Sequence, residues 1–241
     1  MTDHTAIITG GNKGIGADLA QALLDRGYRV ISVARSAPDF THPNLSSVEA
    51  DLLDPKAVTA AAAQIASEHR VTHLIHNAGL IWPNLIEDAS PSDITGLAQL
   101  HLGSALTLLQ AALPAMKERG FGRVMFNASR AALGAPTRTA YSASKAGMIG
   151  MARTWALELA PHGITVNVVA PGPILTENFW GIIEKDSPQQ EALAKRIPVG
   201  RLGESRDVTN AFLFFCDPAN SFVTGQTLYV CGGASVGSLQ I

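Results

Sequence analysis

Thr5-Ala6-Ile7-Ile8-Thr9-Gly10-Gly11-Asn12-Lys13-Gly14-Ile15-Gly16 is an apolar run that empties into a glycine loop, and the fold is read outward from it. Residues 5–9 have the β-rich, apolar character of a short buried strand, and residues 17–26 carry apolar side chains at helical spacing. Glycines let backbone amides approach a pyrophosphate, and the positive end of the following helix stabilises its charge. The spacing G-x-G-x-x-G is not met, because Leu19 stands three places after Gly16; the pattern present is Thr9-Gly10-x-x-x-Gly14-x-Gly16. A glycine-rich turn with no ligand would look the same locally, so the rest of the chain has to decide.

Strand and helix keep alternating beyond this unit. Residues 28–33 form a nearly continuous apolar strand, as in a parallel sheet covered on both faces. Pro38 and Pro43 follow, so the second crossover is expected to lack a proper helix. A third strand is expected at 47–50, then a helix over 56–68 opened by Asp54 and Pro55, then a fourth strand at 72–76 that ends in the turn Asn77-Ala78-Gly79. Ser90-Pro91-Ser92-Asp93 has helix-start chemistry, and a long helix is expected over 94–119, stopped by Gly120. Strands at 122–128 and 164–170 flank a helix over 141–160, and residues 174–196 read as a mobile helical flap. A last helix over 204–215 and a last strand over 227–230 complete an α/β pattern with no linker or internal repeat. The expectation is one domain over residues 1–241, a single doubly wound parallel sheet of about seven strands with helices on both faces and a shortened second crossover.

Composition removes several function classes. The 241 residues are 46% hydrophobic, enough for a sizeable core, and the net charge of −2 comes from interspersed acids and bases. No basic stripe is available for nucleic acid or an anionic membrane, and no apolar run is long enough to span one. Met1-Thr2-Asp3-His4 has no basic region ahead of an apolar run, so a cytoplasmic protein is expected. Cys216 and Cys231 lack metal-ligand spacing and read as reduced, buried thiols. His69, His73 and His76 do not make a metal site, because strand alternation turns neighbouring side chains to opposite faces.

Proton chemistry is concentrated between Ser129 and Lys145. Tyr141 and Lys145 are four apart, so on a helix an ammonium lies beside a phenol and makes tyrosinate easier to form. Appreciable ionisation near neutrality needs roughly 4 kcal/mol from local charges and hydrogen bonds. Near the end of the second strand, where an acid would bind a ribose hydroxyl, Arg35 stands instead, followed by Ser36. Arg35 and Lys13 together suit a 2′-phosphate, which favours NADP(H) over NAD(H). Asp51, at the end of the third strand, suits adenine.

Assembled, these residues resemble the short-chain dehydrogenase/reductase family over essentially the whole chain, and within it members similar to 3-oxoacyl-acyl carrier protein reductase. The resemblance implies a Rossmann-like fold and a cofactor site of Gly10, Asn12, Lys13, Gly14, Ile15, Gly16, Arg35, Ser36, Asp51, Leu52, Asn77, Ala78 and Gly79. It adds Pro171, Gly172, Ile174 and Thr176 near the nicotinamide, with Tyr141 and Lys145 shared between cofactor and chemistry. Ser129, Tyr141 and Lys145 look like the family's catalytic set, and the usual asparagine in the long helix is replaced by His101. His76 likewise replaces the first asparagine of the family's N-N-A-G turn. The expected reaction is hydride transfer between a nicotinamide and a small carbonyl or secondary alcohol, with Tyr141 as general acid and base. Trp82, Arg130, Leu133, Phe179 and Trp180 are expected to line the substrate pocket. Arg130 and Arg138 are read first as solvated surface charges, with attraction of an anion or an acyl carrier protein as the other reading. The family also implies a homodimer or homotetramer joined through the long helices. A cofactor-binding regulator with weak or no catalysis stays open as the other reading, kept alive by His101.

Overall fold

The computed structural model describes residues 3–181 and 183–236; the side chain of residue 178 lies outside the description. Seven strands form one parallel sheet in the order β3-β2-β1-β4-β5-β6-β7. They are β1 Thr5–Thr9, β2 Arg29–Ala34, β3 Leu45–Glu49, β4 His73–His76, β5 Gly122–Asn127, β6 Ile164–Pro171 and β7 Thr227–Val230. Alternation along β1 shows why both faces are covered. Ile7 packs with Val58 and Ile65 of α2 (Pro55–Glu68), whereas Ala6 and Ile8 pack with Leu19 and Leu23 of α1 (Gly14–Leu24). The inner strands β1, β4, β5 and β6 are buried at every residue; β3, at the edge, buries only Val48.

The chain leaves β1 toward β2 and β3, then returns to place β4 on the other side of β1. That reversal opens a crevice at the carboxyl ends of β1 and β4, where parallel sheets bind ligands. As expected, no helix fills the crossover between β2 and β3.

One expectation is corrected. The helix over 94–119 is not uniform and begins earlier: α3 (Pro91–Ala98) runs into a π-helical turn (Gln99–Gly103) and then into α4 (Ser104–Arg119). The early start follows from a capping box, in which the Ser90 amide donates to Asp93 Oδ2 at 3.1 Å while Pro91 takes the first turn. The π turn releases backbone groups from the regular ladder, a distortion found frequently at functional sites. His101 sits in its middle. Among the described residues of the expected flap, 174–181 and 183–196, there are two short helices, α6 (Glu177–Trp180) and α7 (Pro188–Lys195); its residue 182 lies outside the described residues. α5 (Thr139–Leu159) lies beside the π turn, and α8 (Ser205–Cys216) packs with α1 on the opposite face.

Candidate active site

A cleft of about 910 Å³ opens at the carboxyl edge of the sheet. One wall is the glycine loop, with Gly10, Asn12, Lys13, Gly14 and Ile15. Gly16 lies behind that wall and acts by packing: a Cβ there would stand 2.0 Å from the Gly10 carbonyl oxygen, so only glycine lets α1 approach the strand end. Arg35, Ser36, Asp51 and Leu52 line the far end, and the Asn12 amide donates to Ser36 Oγ at 3.0 Å, tying the two loops together. Arg35 is exposed and makes no ion pair among the described residues. Lys13 does make one, to Glu177 Oε2 at 3.0 Å across the cleft mouth, so a phosphate there would compete with a carboxylate.

Asn77, Ala78 and Gly79 form the floor, held by a network centred on Thr9. Thr9 Oγ1 accepts from the Asn77 and Ala78 amides at 2.9 and 3.0 Å and faces His76 Nδ1 at 3.1 Å. His76 Nε2 lies 3.1 Å from the Leu100 carbonyl, which can only accept, so Nε2 carries the proton and Nδ1 accepts from Thr9. Burial and the neighbouring Lys145 hold His76 neutral, with its pKa lowered to about 3. Leu100 belongs to the π turn and its carbonyl also accepts from Ser104 Oγ at 2.6 Å, so His76 and Ser104 satisfy a group that the distorted helix leaves available.

Ser129 emerges from the end of β5, and Tyr141 and Lys145 lie one turn apart near the start of α5. Burial pushes the Tyr141 phenol above its ordinary pKa, while a hydrogen bond with Ser129 and the Arg138 guanidinium pull the other way. Lys145 is 2% exposed; its Nζ donates to the Asn127 carbonyl at 2.6 Å, and burial lowers its pKa to about 7. Ser144 Oγ donates to the Tyr141 carbonyl at 3.0 Å and therefore accepts from His101 Nδ1 at 2.8 Å. This leaves His101 Nε2 as a lone pair, the tautomer favoured beside an ammonium. Nε2 is buried with no partner among the described residues, and burial and Lys145 keep its pKa far below the usual histidine range. A Cβ on Gly79 would lie 3.1 Å from His101 Nε2 and 3.4 Å from Lys145 Nζ. The bare glycine therefore keeps open the space between the two nitrogens.

Pro171, Gly172, Ile174 and Thr176 also line the cleft, and Phe179 and Arg130 reach it. Other expected substrate residues do not. Trp82 lies against Gly96 of α3 and lines a separate, much smaller cavity with Asp93. Leu133 is 59% exposed and does not line the cleft, and Trp180 packs edge-on against Phe179 outside it. His101 is fully buried behind the cleft wall. Asn127 is an addition: its amide donates to Asn77 Oδ1 at 2.8 Å and its carbonyl holds Lys145. Nothing in its strand pattern marks it. Among the described residues no helix is long and apolar enough to cross a membrane, and no cluster of histidine, cysteine and carboxylate could hold a metal.

The cleft fits a dinucleotide: its volume is large enough, one end carries free cationic charge, and Gly10 and Gly14 of the loop line it, where α1 begins, held close to the strand end by Gly16. The model of the family described as enoyl-(acyl carrier protein) reductase matches residues 10–235. A (2S)-[(R)-hydroxy(phenyl)methyl]succinyl-CoA dehydrogenase subunit of Thauera aromatica is 37% identical over 98% of both chains. The 3-oxoacyl-[acyl-carrier-protein] reductase of Escherichia coli is 32% identical over 95% of this chain and 96% of that one. A structure described as an NAD(P)-dependent gluconate 5-dehydrogenase from Beutenbergia cavernae, with bound NADP, superposes with a TM-score of 0.88 at 29% identity and 97% coverage of each chain. These matches span the whole β/α alternation, and with a seven-stranded parallel sheet and a glycine loop at its switch point, the chain belongs to the short-chain dehydrogenase/reductase family, whose members are nicotinamide-dependent oxidoreductases of alcohols and carbonyls.

Proposed function

We propose that this enzyme uses NADP(H) in preference to NAD(H), with Tyr141 as the general acid and base. The observation that carries the reading is that Ser129, Tyr141 and Lys145 line the same cleft as the glycine loop. When bound, the nicotinamide supplies or takes the hydride. Ser129 and Tyr141 hydrogen-bond the substrate oxygen where negative charge develops. In reduction the phenol gives that oxygen its proton, and in alcohol oxidation the tyrosinate removes it. Lys145 holds its ammonium at the phenol's flank and restrains the nicotinamide ribose. In this reading the described residues of 174–181 and 183–196 form the flap over the substrate.

His101 closes the proton relay in place of an asparagine, through water in the space left by Gly79. His101→Asn is expected to keep kcat within about fivefold, because the amide oxygen can also accept from water, whereas His101→Leu loses about tenfold or more. A pH profile of kcat distinguishes this from misfolding: the leucine variant shifts the limb belonging to Lys145, and an unchanged profile in an equally active leucine variant rejects the relay.

Preference for NADP(H) rests on Arg35, the free cation at the far end of the cleft, with Lys13 as its second member once released from Glu177. Arg35→Asp is expected to weaken NADPH at least about tenfold and NADH by no more than about threefold, the value of a lost charge-assisted pair. Fluorescence titration of both cofactors checks this, and equal weakening of the two rejects it.

The names of two relatives denote hydroxy compounds on an acid skeleton, a succinyl thioester and gluconate, and we carry over that coarse class. Exposed Leu106 on α4 and Leu157 on α5 support a homodimer or homotetramer through these helices, which light scattering tests. The two buried, unpaired cysteines suit a reducing compartment, in which we place the protein. A cofactor-binding regulator without chemistry would not need Ser129, Tyr141 and Lys145 brought together.

A further inference from the structure

Charge in the cleft is unevenly distributed. Of the acids lining it, Asp51 stands at the far end with Arg35, and Glu177 is paired with Lys13. Around Tyr141 the lining charges are Lys145, Arg130 and Arg138, with no carboxylate beside them. Neither arginine makes an ion pair among the described residues. Both are half-buried, so their charge is only partly solvated.

Arg138 is held in a specific way. Its Nη1 donates to the Thr137 carbonyl at 3.3 Å and to the Thr137 hydroxyl, while Nε and Nη2 have no partner among the described residues. A guanidinium offers five N–H donors in a planar fork that matches a carboxylate, so most of its capacity is unspent. The backbone is anchored: the Asn84 amide donates to the Thr137 carbonyl at 3.1 Å, and Asn84 Nδ2 donates to Asp93 Oδ2 at 3.0 Å, at the capped start of α3. The position is also locally unfavourable. Thr137 is β-branched yet adopts φ 63°, and Arg138 places a cation at the N-cap of α5, where serine, threonine or a carboxylate is preferred. Neither choice helps the helix.

We propose that Arg138 binds a carboxylate on the substrate, so that the enzyme acts on oxo or hydroxy acids whose acid group lies a few atoms from the reacting carbon. Arg138 is three residues before Tyr141, lines the same cleft and acts on its phenol, which places the recognised anion close to the carbonyl rather than at the distant end of a carrier. Arg130, one residue after Ser129, supplies a second positive charge on the same side. The inference rests on the oxidoreductase reading above, and it names the substrate class for that site.

The test compares matched pairs on the full chain with NADPH: acetoacetate against methyl acetoacetate, and levulinate against methyl levulinate. Wild type is expected to favour at least one acid over its ester by about tenfold or more in kcat/KM. Arg138→Gln should remove most of that preference, read as the ratio of kcat/KM for acid over ester, and Arg138→Lys should fall between them. Any effect of Arg138 on the Tyr141 phenol falls on acid and ester alike and cancels in the ratio. Succinate, which cannot be reduced here, supplies a readout without turnover: it should raise the melting temperature of wild type and not of Arg138→Gln. Equal use of acids and esters by wild type, or a preference unchanged in Arg138→Gln, overturns the proposal and leaves the oxidoreductase reading intact. Arg138-dependent binding of succinate with no turnover of any ketone or alcohol overturns that reading instead and leaves the anion site standing.

Discussion

Tyr141→Phe is expected to lower kcat about a thousandfold while leaving the Kd for NADPH within about twofold. In the proposed mechanism the phenol oxygen exchanges a proton with the substrate oxygen, so removing it takes away both the proton and one hydrogen bond to the developing charge. The ring itself is retained, so its packing against the apolar core and its edge-on contact with His101, ring centroids 5.8 Å apart, persist. Phenylalanine therefore removes chemistry without opening a cavity. Single-turnover absorbance at the nicotinamide band, paired with fluorescence titration of NADPH, separates the two effects. A variant turning over within about tenfold of wild type would sink the assignment and move the proton to another group. A variant that no longer binds NADPH would show that the hydroxyl also holds the cofactor wall together.

Acid should destabilise the fold between pH 7.5 and 5.5 by about 3 kcal/mol through His73 and His76 alone. Both are fully buried with pKa values lowered to about 3, His73 chiefly by burial and by His4, and His76 by burial and Lys145. The unfolded chain takes up these protons near pH 6.5 and the folded chain does not, so stability is present above about pH 6.5 and is lost as pH falls below it. At pH 5.5 each imidazole costs about 1.4 kcal/mol. His4 and His101, also lowered, act in the same direction, as does Lys145 at about 7, which titrates in the fold across this range while remaining charged when unfolded. Asp207, lowered to about 2 by its pair with Arg201, loses its contribution only below about pH 4 and does not confuse the window. Urea denaturation at the two pH values measures the difference. His73→Phe, placed among Tyr28, Phe121 and His4, should reduce it by roughly the share of one imidazole. Equal stability at both pH values would mean that these rings are protonated or solvated in the native protein.

How much of this was legible in the chain alone follows from what a sequence window contains. The glycine loop, the prolines that remove the second crossover helix, and the four-residue step from Tyr141 to Lys145 are local patterns, because strand alternation, helical spacing and turn chemistry act between near neighbours. Arg35 is also legible, as its place directly after β2 puts it at the carboxyl edge of the sheet, where it lines the cleft. Only the tertiary structure decided the rest. The π turn around His101 needs an acceptor satisfied by His76, which lies 24 residues from Leu100 and meets it only when β4 and the helix pack. The orientation of the His101 ring is set by Ser144, 43 residues away. Trp82 has the composition of a pocket residue, yet bare Gly96 lets the helix take the indole away from the cleft. Arg138 reads as a surface arginine until the fold shows which charges stand near it and which do not. Near-neighbour chemistry determined that the chain builds a parallel sheet with a dinucleotide loop. Long-range packing determined which polar groups are buried together, and hence which proton positions and charges the active site has to use.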